Sequence, residues 1–103
     1  MDKKVIHLSN QNIEVFVADN RAWVSLPSLA TALDREWKHY RQRAVSCKEV
    51  ATIEFDDQLC IALKDLNYWL YNSGRGRLRS FLLRQFQEQL MLKILDEVGR
   101  DKL

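Results

Sequence analysis

Histidine, cysteine, glycine and long apolar runs are all scarce in this chain, and each scarcity removes a class of function. The two cysteines, Cys47 and Cys60, have no C-x-x-C spacing and no histidine pair beside them, so they build neither a disulfide framework nor a zinc site. They read as small, reduced core residues. The two histidines, His7 and His39, fall on different elements, whereas an active site needs nucleophile, base and orienting groups that converge. His39 with Cys47 is the one conceivable nucleophile pair, and no oxyanion loop or orienting acid accompanies it. Gly74-x-Gly76 lacks the lysine and the strand context of a phosphate loop and reads as a helix stop. No stretch approaches the ~20 apolar residues of a membrane span, and residues 1–5 do not open a signal peptide. The expectation is a cytoplasmic, non-catalytic protein with no cofactor, no metal and no membrane partner.

What is present is an ordinary globular composition, 47% hydrophobic and 29% charged, which with 103 residues predicts one domain over residues 1–103. The chain is organised around residues 63–98. Leu66, Trp69 and Leu70 recur at i, i+3 and i+4, one buried helical stripe. Residues 72–76, with two glycines, break the helix. Leu78, Leu82, Phe86, Leu90, Ile94 and Val98 then predict a helix of about six turns ending at Gly99. Phe81, Leu83, Met91, Leu92 and Leu95 fall off that stripe, more apolar surface than one buried face uses; either they pair with a second copy as a homodimer or with a partner helix, or the N-terminal sheet and first helices cover them.

Earlier in the chain the period changes. Residues 5–8 are a short β-branched run, and residues 13–17 alternate as a half-buried strand. Asp19-Asn20 turns the chain back into residues 21–24, so residues 12–25 form a hairpin. Ser25 is placed to cap a helix whose first turn accepts Pro27 and which buries Leu26, Leu29, Ala30 and Leu33. Asp34 opens a basic helix over residues 35–44. Residues 50–55 and 58–62, joined by Asp56-Asp57, form a second hairpin, and residues 99–103 should fray. The fold expected is α+β, small antiparallel β-hairpins packed against four helices with one long C-terminal helix.

A net charge of +2 is too small to announce a nucleic-acid binder, but the charges are segregated. Arg35, Lys38, Arg41 and Arg43 can meet phosphates or merely face solvent. Arg75 and Arg77, with Arg79, crowd a helix start where the dipole disfavours cations, and they form the better anion-contact loop. Glu54, Asp56 and Asp57 form the opposite feature, an acidic tip that is either an ordinary solvated turn or suited to a basic partner face.

The order of elements and several residues resemble the phage antirepressor N-terminal domain family, which is related to Bro-N domains. Trp23-Val24-Ser25-Leu26 entering Leu29-Ala30-x-x-Leu33, Trp37 in the basic helix, Leu63, Leu66, Trp69-Leu70, Arg79 and Phe86-Gln87-x-x-Leu90 carry the resemblance, over roughly residues 10–95. It implies a partner in phage gene control inside the bacterial host cell. An antirepressor binds a prophage repressor and lifts repression, with Glu54, Asp56 and Asp57 as the partner contact here. The alternative is a DNA-binding transcriptional regulator of the Bro-N type, using Arg35, Lys38, Arg41, Arg43, Arg75 and Arg77.

Overall fold

The computed structural model of the chain describes residues 2–8, 10–32, 41–42, 48–73 and 77–103, with side chains for all of these except 67, 70–73 and 77–83. Strands β1 (Asp2–Leu8), β2 (Gln11–Ala18) and β3 (Arg21–Ser25) lead into helix α1 (Leu26–Ala32). Strands β4 (Thr52–Phe55) and β5 (Gln58–Ala62) lead into α2 (Leu63–Ser73), and α3 (Arg77–Val98) is followed by a short 3-10 turn, Arg100–Lys102.

The strands form one five-stranded antiparallel sheet in the order β1-β2-β3-β5-β4. This corrects the expected arrangement of separate hairpins against four helices: β3 pairs with β5 through Trp23↔Ala62, Val24↔Ile61 and Ser25↔Cys60, and three α-helices stand among the described residues. The physical reason lies in those two strands. Ala22, Val24, Ser25, Cys60, Ile61 and Ala62 are all buried, so neither strand has a solvated side, and each needs a neighbour for its backbone groups. Of the basic helix expected over residues 35–44, only residues 41–42 are described, and they are helical.

Both predicted turns are two-residue loops with positive φ throughout, 53° and 64° at Asp19 and Asn20, 49° and 62° at Asp56 and Asp57. That backbone matches the right-handed twist of the flanking strands. One face of the sheet carries Ile6, Ile13, Val15, Val24 and Ile61, which pack with Leu26 and Leu29 of α1, Leu63, Leu66 and Trp69 of α2, and Leu90 and Ile94 of α3. All three helices therefore cover the same face. Leu90 and Ile94 are fully buried, and truncating either to Ala would cost about 2–5 kcal/mol.

Polar ties fix how the layers meet. Ser25 Oγ accepts the Ser28 N–H at 3.4 Å, the cap expected for α1, and Ser28 Oγ accepts the Glu14 N–H at 3.1 Å. Asp65 accepts the Ala51 N–H at 2.9 Å, which pins the entry of β4 to the first turn of α2. Lys93 Nζ donates to the His7 carbonyl at 2.7 Å and joins α3 to the β1 edge. The last residues, expected to fray, instead fold back after Gly99 (φ 99°), and Lys102 Nζ donates to Asn20 Oδ1 at 2.8 Å.

Candidate interaction surface

The acidic tip rests on an aromatic stack. On the sheet face away from the helices, Phe16 of β2 is fully buried and stacks on Phe55 of β4 with ring centroids 5.3 Å apart. Trp23 meets Phe55 edge-on at 6.3 Å. Two strands separate β2 from β4, so the sheet must curl toward this face for the rings to touch. Phe55 immediately precedes Asp56, so the stack fixes the base of the turn. Trp23 Nε1 is buried and has no hydrogen-bond partner among the described residues.

Beside the rings lies a polar chain. Lys3 Nζ is 2.5 Å from Glu14 Oε1, and Ser25 Oγ donates to Gln58 Oε1 at 2.5 Å. The Lys3 hydrogen bond holds the Glu14 carboxyl below its usual range, with Gln58 acting in the same direction and burial opposing. The same bond raises Lys3, with further help from the charges of Glu14 and, last, Asp56. Lys3 also sits 5.9 Å from the Phe16 ring centroid. The β1 end is thus tied electrostatically to the neighbourhood of the β4–β5 turn.

At the tip, Glu54, Asp56 and Asp57 are all exposed, and none forms an ion pair among the described residues. Glu54 lies on an edge strand and pairs across from Leu59, while the two aspartates occupy the turn. The structure therefore brings the three predicted acidic residues together at one corner of the sheet. Their neighbours Glu49 and Asp65 are engaged elsewhere: Tyr68 donates to Glu49 at 2.7 Å, and Asp65 holds the Ala51 N–H.

The basic set is not assembled in the same way. Arg35, Lys38, Arg43 and Arg75 lie outside the described residues, Arg41 is exposed, and Arg77 is the first residue of α3. His39 and Cys47 also lie outside them. Cys60 is buried, and burial pushes its thiol up to about 12, so it stays protonated and unreactive at neutral pH. His7 is exposed, with Nδ1 bonded to Asn12. No group of three or more metal-ligating side chains occurs among the described residues, and none of their helices is long and apolar enough to cross a membrane.

On α3, Met91 and Leu95 are partly buried against the protein's own core, while Leu92 is 57% exposed. Phe81 and Leu83 lie in the helix, at positions whose side chains are not described. A shallow groove of about 630 Å³ runs along this flank, lined among the described residues by Arg84, Gln87, Glu88, Met91 and Leu92. Apolar periodicity says nothing of Arg84, Gln87 and Glu88 as a group. Their i, i+3 and i+4 spacing was the available signal. No family model, no curated protein and no solved structure matches the chain.

Proposed function

We propose that this chain is a phage antirepressor-like module, working in the cytoplasm of the bacterial host cell, that binds and inactivates a prophage repressor without catalysis. The observation that supports it is the acidic corner: Asp56 and Asp57 on a two-residue turn with Glu54 beside it on the edge strand, all three exposed and free of ion pairs among the described residues, the base of the turn anchored by the Phe16–Phe55 stack. A repressor must present a basic surface to DNA, and a fixed cluster of carboxylates is complementary to that surface. Such a cluster steers the encounter and then competes with phosphate for the same side chains. Individual exposed charge pairs are worth only about 0–1 kcal/mol, so specificity must come from several contacts made together.

The test is expression of the protein in a panel of lysogens with phage release as the readout. The native chain should raise phage release in at least one lysogen, and Asp56→Lys with Asp57→Lys should lose at least ~10-fold of that effect at equal soluble protein, about 1.4 kcal/mol of binding. The outcome that would transfer the function to the arginines is different. The double variant would still derepress, and purified protein would bind bulk DNA at ~50 mM salt and lose it by orders of magnitude at ~200 mM.

A further inference from the structure

We propose that α3 is a homodimerisation helix, pairing antiparallel about a two-fold axis with the α3 of a second copy, in a register set by Arg84 and Glu88. The proposal stands apart from the reading of the acidic tip. Residues 84, 88, 91 and 95 follow one another at steps of four, three and four, the spacing of a coiled-coil seam. On this seam Arg84 and Glu88 are exposed and neither has an ion-pair partner among the described residues. Met91 is half-buried, Leu92 beside it is the most exposed large hydrophobic residue described, and the groove of about 630 Å³ follows the same flank. The helix has 22 residues, a length of ~33 Å, close to the 36 Å long axis of the protein. A second helix can therefore lie along it for most of the molecule.

The charge order selects the partner and the direction. Parallel pairing would set Arg84 against Arg84 and Glu88 against Glu88, like against like. Antiparallel pairing about a two-fold sets Arg84 of each copy against Glu88 of the other, so that one seam satisfies itself twice. Sliding by one heptad would put Arg84 opposite Leu95 and Glu88 opposite Met91, which desolvates both charges without pairing either. Only one antiparallel register therefore pairs both charges. A cation and an anion one helical turn apart match their own image under that axis, which is the reason the occupant is a second copy of this chain.

Sedimentation equilibrium of the full chain, from low micromolar to millimolar concentration, tests this. The native protein should show a monomer–dimer equilibrium. Arg84→Glu and Glu88→Arg should each weaken it at least ~10-fold while leaving the circular dichroism spectrum unchanged, and the melting temperature unchanged at concentrations where the native chain is monomeric, since both positions are exposed in the single chain. Mixed one to one, the two single variants should associate with each other, because one then carries two acids and the other two bases on the seam. The double variant should dimerise like the native chain. A native protein that stays monomeric throughout, or a dimer indifferent to both reversals, would overturn the proposal, as would single variants that fail to recover on mixing.

Discussion

The tight turns of the β2–β3 and β4–β5 hairpins have the same backbone and different surroundings. Asp19-Asn20 and Asp56-Asp57 both hold two residues at positive φ between antiparallel strands. At the first turn Asn20 is tied by Lys102, and the β2–β3 hairpin beneath it buries Phe16, Val15, Ala22 and Val24 completely or nearly so. At the second, both carboxylates stand free of ion pairs among the described residues, and the outer strand β4 leaves Ile53 and Glu54 exposed. Asn is among the residues that best tolerate left-handed backbone, and the type I′ turn most favours Gly at its second position. Nothing in turn formation asks for a second aspartate at position 57, and its charge is therefore the part that folding does not explain. The first turn presents one exposed aspartate beside a tied asparagine, and the second presents two with Glu54 next to them.

That contrast predicts a steep gradient in stability. Phe16→Ala should cost about 3–5 kcal/mol, while Ile53→Ala on the outer strand should cost less than about 1 kcal/mol. Thermal melts would show the first as a fall of tens of degrees or outright loss of folding, since about 1 kcal/mol moves a domain of this size by roughly 4–8 °C. Equal losses at the two sites would erase the distinction between scaffold and edge. For function the gradient runs the other way. Asp56→Lys with Asp57→Lys should lose derepression at least ~10-fold, and Asp19→Lys with Asn20→Lys should leave it within about twofold at equal soluble protein.

The polar chain that joins β1 and β2 to β5 sharpens the comparison through pH. Glu14 is held below its usual 4.5 chiefly by Lys3, so its contribution to stability is present above that value and is lost as pH falls through the depressed one. Lys3 is raised above its usual 10.5, so its share is present below that value and is lost as pH rises through the raised one. Glu14→Gln should flatten the acid limb of a urea-midpoint profile below about pH 4.5 and lower neutral stability by the same small amount, small because the pair is partly exposed. An acid limb that is the same in both proteins would remove Glu14 from the account. The smallest effect is at the turns themselves. Asp57→Gly should stabilise by about 0.5 kcal/mol through relief of left-handed strain, whereas Asn20→Gly should gain nothing because it forfeits the Lys102 bond.

Local structure was legible where local chemistry decides it. Period-two alternation marked β2, Asp19-Asn20 and Asp56-Asp57 marked the turns, Ser25 marked the start of α1, and Leu90 and Ile94 lay on the stripe that reached the core. What was not legible depends on residues distant in sequence. The β3–β5 pairing joins two hairpins that each looked complete, and its only trace was that both strands lack a polar side. The Phe16–Phe55 stack requires the curl of the whole sheet, which no window of sequence reports. Lys102 reaching Asn20 turned an expected loose end into a tie. The acidic cluster was legible because its members are close neighbours in the chain.

The measurement that bears most directly on the acidic corner is a gel shift on the operators of a panel of temperate phages, each saturated with its own purified repressor. Titrating in the native protein should release at least one operator as free DNA, with no shift of the naked operator, and Asp56→Lys with Asp57→Lys should leave that repressor in place. If the protein shifts naked operator in a salt-sensitive way and displaces no repressor, the acidic corner is not the functional surface and the account is wrong at its centre.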